Sequence, residues 1–172
     1  MGDIFHANAS EAHDDAVYGP DYLRGRETRT AYAYWQSKSV NGALPSFADI
    51  DPSDIRKLLT YSIVSDVLQD PFDLKVAIMG QVVVETLGEN WTGRTLRELV
   101  DARPALIEPV LKCHERVFET RSPLAFSSSY WMIGRANYTR EVLILPLAND
   151  GTTINRHWSV GSYFKRGGSE TP

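Results

Sequence analysis

The side chains of this sequence best suited to catalysis are its histidines and a short run of serines. The histidines are His6, His13, His114 and His157, and the serine run spans residues 127–129. A serine nucleophile needs a histidine and a carboxylate within hydrogen-bond reach, whereas a serine run on a predicted strand is more typical of a solvent-facing alternation. The sequence contains no nucleophile elbow and no glycine-rich loop that would hold phosphate. These motifs do not favour an enzyme.

A metal site would draw on His114 and His157, because both fall within predicted elements. His114 lies on the apolar side of a helix predicted over residues 104–120, and His157 lies in the middle of a predicted strand. A lone histidine on an apolar face is more often a hydrogen-bonded core residue than a ligand. The single cysteine, Cys113, excludes an internal disulfide and a multi-cysteine metal site. We expect no metal site, and the sequence leaves the identity of any cofactor open.

The spacing of apolar residues predicts the elements that must position these side chains. At the centre is the segment 141–151, in which the apolar run Val142 to Leu147 precedes the turn signal Asn149-Asp150-Gly151. Such a run predicts a strand that is covered on both faces or lies centrally in a sheet. Strands are predicted over residues 61–68, 74–79, 124–132, 138–147 and 153–164, and helices over residues 21–40, 81–87, 96–100 and 104–120.

Two prolines affect the predicted helices. Pro52 follows Asp51, which is a suitable N-cap, so a short helix is expected to begin at Pro52 and to bury Ile55, Leu58 and Leu59. Pro109 falls inside the longest helix, and a proline there should kink the helix or delay its regular part to about Pro109.

The chain divides into four predicted parts. Residues 1–20 are polar, acidic and aperiodic, and we expect an arm that is disordered or becomes ordered on a partner. Residues 21–58 hold the N-terminal helix and the connecting short helix, residues 59–165 form the core, and residues 166–172 form a flexible tail.

Composition excludes several classes of partner. With a net charge of −4 and a pI of about 5.5, the 172-residue chain has no basic footprint for nucleic acid. No run of about 18 apolar residues is present, so no membrane span is expected. The N-terminus lacks the apolar region of a secretory signal, which makes a cytoplasmic location the expectation.

The predicted order of elements is two strands, short helices, a long helix and three strands. It suits an α+β fold with a five-stranded antiparallel sheet, helices on one face and an extra N-terminal helix. Together with several motifs, this order resembles the PAS domain family, specifically the PAS-like regulatory proteins of alphaproteobacteria. The motifs are Trp35, residues 42–46, 49–52 and 66–68, Met79-Gly80, Gly88, residues 91–94 and 143–147, and Asp150-Gly151. The resemblance covers roughly residues 30–163, and Met79 departs from it, since a small polar or branched residue is expected there.

The resemblance implies a strand order of 2-1-5-4-3 and a pocket between the sheet and the central helices. Domains of this family use the pocket for a small ligand or cofactor, and the outer sheet face or the N-terminal helix for partners. A flavin photosensor that forms a cysteine adduct would need an Asn-Cys-Arg-Phe context, which Cys113 lacks.

Residues that line such a pocket are predicted from strand alternation and helix spacing. They are Tyr61, Ile63, Ile78, Trp91, His114, Phe118, Tyr130 and His157. Apolar walls with a few polar groups are what a small-molecule site requires. The alternative is that these large side chains fill the space themselves.

A partner surface is predicted on the N-terminal helix. Tyr32, Tyr34 and Trp35 are aromatic anchors of the kind enriched at interfaces, which favours a homodimer through this helix. The alternative is that the helix only covers its own sheet. Arg24, Arg26 and Arg29 give the helix local positive charge, which is more typical of a solvated face than of a nucleic-acid site.

These observations favour a cytoplasmic, non-enzymatic sensory or regulatory module that binds a small ligand, a regulatory protein partner, or both. Because no output domain is recognised in the sequence, the output is expected to be another protein. One alternative is a scaffold with a filled pocket, and the other is a small cone-shaped isomerase or hydrolase fold, which also pairs a curved sheet with helices.

Overall fold

The computed structural model describes residues 16–130 and 135–165, with side chains for all of these except 129, 130, 135–137 and 165. The strands in these ranges are β1 (Val17–Tyr18), β2 (Ser62–Leu68), β3 (Asp73–Met79), β4 (Leu124–Tyr130), β5 (Arg135–Leu147) and β6 (Arg156–Lys165). The helices are α1 (Arg26–Lys38), α2 (Arg56–Leu59), α3 (Gln81–Leu87), α4 (Leu96–Ala102) and α5 (Pro104–Thr120). Single 3-10 turns lie at Pro20–Tyr22 and Phe47–Asp49. The predicted bounds of α3 and α5 are confirmed.

The strands form one antiparallel sheet in the order β1-β4-β5-β6-β2-β3. The expected count of five strands was wrong, because β1 adds a sixth at the β4 edge and extends the expected order 2-1-5-4-3 at its last position. This strand comes from residues that were assigned to an aperiodic arm. Its two residues are too few to show alternation in the sequence. They are held by main-chain groups at the edge of β4, where the Ser127 N–H donates to the Ala16 carbonyl at 2.8 Å. The first fifteen residues of the arm lie outside the described residues.

The central strand β5 is covered on both faces, which explains its continuous apolar run. Leu143, Leu145 and Leu147 are fully buried in a cluster that includes Trp35 of α1. Ile144, between them in sequence, is fully buried in a second cluster with Val117 of α5. Alternate residues of one strand therefore hold α1 on one face of the sheet, called here the outer face, and α3 to α5 on the inner face.

Helix α1 packs on β5 and β6 at the outer face. Ala31 is fully buried, and the indole N–H of Trp35 donates to the Pro146 carbonyl at 2.9 Å. This hydrogen bond satisfies the polar atom of a buried tryptophan. Helix α1 therefore covers its own sheet.

Helix α1 begins at Arg26 instead of residue 21, α2 also begins later than predicted, and α5 does not show the delayed start predicted at Pro109. The Asp51 carboxylate accepts the Ser53 N–H at 2.8 Å, which forms a local turn instead of an N-cap, and α2 begins only at Arg56. Helix α5 begins at Pro104 and continues through Pro109. Pro104 occupies the first helical position, where no N–H is needed. Pro109 removes one interior donor, while Leu106 and Ile107 pack into the core with α4 and stabilise the first turns.

Candidate functional site

A cavity of about 60 Å³ lies between the inner face of the sheet and the helices. Residues of β2 to β6 form its floor, and residues of α3, α4 and α5 form its roof. Most of its wall is apolar. Its polar and titratable lining residues are Tyr61, Ser65, His114, Arg140, Ser159 and Tyr163.

Of the eight residues predicted to line a pocket, four line this cavity. These are Tyr61, Ile63, Trp91 and His114. Tyr130 has no described side chain. Ile78, Phe118 and His157 lie elsewhere, for three different reasons.

Ile78 points to the outer face, and 41 % of it is exposed. A β-bulge is the cause: Val64 pairs with Ile78, but the next residue, Ser65, pairs with Val76, so Ala77 is an extra residue in β3. Such an extra residue reverses the alternation beyond it. Val76 lines the cavity, and Ile78 therefore faces the opposite side, which strict alternation could not predict.

Phe118 lies one turn beyond His114 on α5 and does not line the cavity. Its ring lies 5.3 Å from that of Phe72, at the turn between β2 and β3. It is only partly buried and packs against the cluster that contains Leu145 and Leu147.

His157 is fully buried beside His114. The two rings stack with centroids 5.2 Å apart, and their Nδ1 atoms lie 2.9 Å apart, so one Nδ1–H donates to the other Nδ1. The Nε2 of His157 is buried and has no hydrogen-bond partner among the described residues. The two histidines form a hydrogen bond within the core, and His114 also lines the cavity.

Burial sets the charge of this histidine pair. Desolvation lowers the pKa of His114 well below its usual value, with repulsion from His157 as a second cause. Desolvation lowers the pKa of His157 to about 3. Both imidazoles are therefore neutral near pH 7. Within the described ranges, no three histidine, cysteine or acidic residues form a group that could hold a metal ion.

Arg140 is a cavity residue that was not predicted from the sequence. Its Nε donates to Ser128 Oγ at 2.8 Å, and its Cζ lies 5.7 Å from the centroid of the Phe126 ring. Only 9 % of Arg140 is exposed. The available signal was its spacing, because Arg140 stands two residues before Val142 and shares its face of β5.

Glu141, the next residue, forms a buried carboxylate site on the outer face. It is fully buried, and it accepts hydrogen bonds from Tyr18 Oη at 2.8 Å and from Thr28 Oγ1 at 2.5 Å. The backbone N–H groups of Arg24 and Gly25 also donate to it, at 3.0 and 2.9 Å. Burial and the adjacent carboxylate raise the pKa of Tyr18. One side chain thus attaches β1 and the start of α1 to the central strand.

The aromatic residues predicted at a dimer interface lie in different environments. Trp35 is a core residue, as described above. Tyr32 stacks on Trp35 with centroids 6.3 Å apart, and Tyr34 bonds Asp54 Oδ2 at 3.1 Å through its hydroxyl. Tyr32 and Tyr34 are half-buried, so they are the aromatic residues of α1 that keep part of their surface exposed. The homodimer stays a prediction.

The fold and its site define a class of protein: an α+β domain in which an antiparallel sheet and three helices enclose a small cavity. The chain belongs to the PAS domain family, since the family model described as "PAS domain" matches residues 23–160. Membership in this family indicates a sensory or regulatory module in general. Comparisons with curated proteins and with solved structures gave no significant match. Across the described ranges, no helix is long and apolar enough to cross a membrane.

Proposed function

We propose that this chain is a cytoplasmic, non-enzymatic sensory module, similar to the PAS-like regulatory proteins of alphaproteobacteria. It binds a small ligand in the cavity and reports occupancy to a protein partner by docking or dimerisation through α1 and the segment before it. The observation that carries this proposal is that the cavity and the N-terminal segment contact opposite faces of the same two strands.

In β5 the two contacts are made by adjacent residues. Arg140 lines the cavity, and Glu141 holds Tyr18, Thr28 and the backbone at Gly25. A displacement of the strand at Arg140 therefore moves the carboxylate to which the N-terminal segment is attached.

Strand β6, which pairs with β5, shows the same alternation between cavity residues and residues that contact α1. Gly161 and Tyr163 line the cavity, whereas Ser162 between them accepts the Thr28 N–H at 3.2 Å and donates to Glu27 at 2.8 Å. Arg140 pairs with Tyr163, and Glu141 pairs with Ser162. A ligand that binds one packing of this strand pair more tightly than another would shift the populations of the two packings. This shift would change how α1 is attached to the sheet.

The size of the cavity limits the ligand. At about 60 Å³ it holds only a few non-hydrogen atoms, since an engineered cavity that binds benzene has about 150 Å³. A haem or a flavin is far larger, so the residues present do not fit either group. This small volume also favours the scaffold as the second candidate function, in which partner docking occurs with no ligand.

The histidine pair does not support an enzyme. Burial lowers both pKa values in the same direction, whereas acid and base roles require environments that push two pKa values apart. A general base also needs a pKa near the working pH.

The test combines ligand screening with hydrogen exchange. Small molecules that raise the melting temperature are added to the protein, and amide exchange is measured at residues 24–28 and, as a control on the same helix, at residues 34–38. We expect ligand binding to change exchange at 24–28 and to leave 34–38 nearly unchanged. Binding without any change at 24–28 would contradict the signalling route. Absence of both a ligand and a partner would contradict the sensory function.

A further inference from the structure

Four polar side chains of the inner face form a contiguous patch at the cavity. Ser65 of β2, His114 of α5 and Ser159 of β6 line the cavity, and each of them is more than nine-tenths buried. His157 joins them, because it stacks on His114 and stands opposite Ser65 in the strand register. It also lies two residues before Ser159, on the same face of β6. The polar groups of these residues are therefore close together beside the apolar part of the wall.

Several polar atoms of this patch have no hydrogen-bond partner in the protein. Among the described residues, no hydrogen bond is made by the hydroxyl of Ser65 or of Ser159, and the hydrogen bond of His114 uses its Nδ1 and leaves its Nε2 without a partner. Buried polar side-chain atoms normally have a partner, so a cluster of such atoms around a cavity requires an explanation. A polar molecule bound in the cavity would supply the partners.

The tautomers of the histidine pair determine what His114 offers to that molecule. The Nε2 of His157 is sealed in the core without a partner among the described residues, and a buried N–H without an acceptor is rarer than an acceptor without a donor. We therefore assign the proton of His157 to Nδ1, which donates to His114 Nδ1. A neutral His114 then carries its own proton on Nε2. Because His114 lines the cavity and its Nε2 is not a sealed atom, this N–H is a donor for a ligand.

The surroundings favour a neutral ligand over a charged one. Both imidazoles are neutral near pH 7 and provide no counter-charge. The guanidinium of Arg140 already has contacts of its own, including the one with Ser128. The rest of the wall is largely apolar, and an ion would lose its hydration there without replacement. A neutral molecule with one acceptor group and a small alkyl part fits both parts of the wall.

We propose that the cavity binds a small neutral carbonyl compound, a ketone or a primary amide, whose oxygen accepts hydrogen bonds from His114 Nε2–H and the Ser159 hydroxyl. Its alkyl part lies against the apolar wall. This inference rests on the proposed function, because it names the ligand class of the same cavity. The volume of about 60 Å³ accommodates such a ligand, since one water requires about 10–15 Å³ on this scale.

The test is an NMR titration of the full-length protein with acetone and with acetamide, followed at the indole N–H of Trp91, which lines the cavity, and at the amides of residues 159–163. Isobutene and sodium acetate are the matched ligands, because both keep the planar, three-branched shape of acetone. Isobutene replaces the oxygen by a carbon, and acetate adds a negative charge. We expect saturable shifts with acetone and acetamide, and binding that is weaker by about tenfold or more with isobutene and acetate.

Two further measurements locate the carbonyl group. NMR of the histidine ring nitrogens near neutral pH should show the proton of His114 on Nε2 and that of His157 on Nδ1, and acetone should shift the Nε2 signal of His114. Ser159→Ala removes one donor and should weaken acetone binding by about two- to tenfold. Ser122→Ala, at an exposed position, is the matched control and should bind as the original chain does. The comparison of the four ligands needs no variant, so it decides the question even where Ser159→Ala does not fold.

The outcomes separate this inference from the proposed function. Equal binding of acetone and isobutene would overturn the carbonyl class and leave the cavity as an apolar ligand site, and tighter binding of acetate would replace it with an anion site. An unprotonated Nε2 in His114, or unchanged acetone binding by a folded Ser159→Ala, would overturn the placement of the carbonyl group at this patch. Saturable binding of none of the four ligands would overturn the inference outright, while the exchange experiment above judges the sensory function separately.

Discussion

Arg140 and Glu141 are neighbours in β5, yet their charged groups lie on opposite faces of the sheet. The guanidinium lines the cavity on the inner face, and the carboxylate is fully buried against the N-terminal segment on the outer face. Strand alternation places them so, and it brings the cavity and the N-terminal segment into contact with adjacent residues of β5.

Glu141→Gln should release the N-terminal segment. The amide group cannot accept all the hydrogen bonds that Thr28, Gly25 and Arg24 donate, and hydrogen bonds to a buried charge are worth about 1.5–3 kcal/mol each. We expect faster amide exchange at residues 24–28 and a loss of about 2–4 kcal/mol in the free energy of unfolding. Glu115→Gln, which is exposed on α5, should change neither quantity. Unaltered exchange at 24–28 would show that the carboxylate does not hold this segment.

Gly25→Ala should disturb the contact between α1 and β6. A Cβ at Gly25 would lie 2.2 Å from the Cβ and Oγ of Ser162, and overpacking of this kind costs about 1–3 kcal/mol. Gly19→Ala is the matched control, because nothing lies within 4 Å of a Cβ built there. Urea denaturation measures both variants. Adding Ser162→Gly to Gly25→Ala should restore part of the stability, and the absence of any such recovery would mean that the strain lies elsewhere.

Acid should destabilise the protein through its histidine pair. The folded state depresses both pKa values below the usual 6.5, that of His157 to about 3. The stability from the neutral pair is therefore fully present above pH 6.5. As the pH falls below 6.5, the unfolded chain protonates these histidines before the folded chain does, and the loss due to His157 continues toward pH 3 at about 1.4 kcal/mol per pH unit. His114 adds a loss of the same sign.

The measurement of this acid effect is urea denaturation at several pH values between about 7.5 and 4.5. His157→Gln removes one titrating group and should reduce the slope below pH 6.5 by roughly half. A free energy of unfolding that stays flat across this range would contradict the neutral, buried state of the pair.

Trp35→Ala should destabilise the single domain. Trp35 is buried to 8 % exposure and its N–H is bonded to Pro146, so the truncation should cost about 3–5 kcal/mol. Tyr22→Ala, at a residue that is 67 % exposed, should have little effect. The loss should not depend on protein concentration. A loss that appears only at concentrations where a dimer forms would instead place Trp35 at an interface.

A homodimer through α1 should be sensitive to charge on the exposed face of that helix. Ala33 lies on this face, so Ala33→Glu should lower the mass measured by sedimentation toward that of a monomer and leave the melting temperature almost unchanged. Ala105→Glu, exposed on α5, is the matched charge change and should leave the mass unaltered. A monomeric mass for the original chain at high concentration would rule the dimer out.

The sequence predicted well those parts of the fold that depend on local spacing. The three- and four-residue apolar spacing of 104–120 and the apolar run before Asn149-Asp150-Gly151 gave α5 and β5, because a helix or a covered strand imposes its own period on the chain. The candidate site was predicted only in part. Tyr61, Ile63, Trp91 and His114 line the cavity because their elements are regular, whereas the bulge at Ala77 turned Ile78 to the other face.

By itself, the sequence determined the order of the elements from α1 to β6 and their class, α+β with an antiparallel sheet, since both follow from periodicity and turn residues. Only the tertiary structure decided which polar residues are buried. Arg140, Glu141 and the pair of His114 and His157 owe their positions to contacts between residues distant in sequence. Such contacts leave no periodic signal, because they depend on which faces meet after the strands have paired.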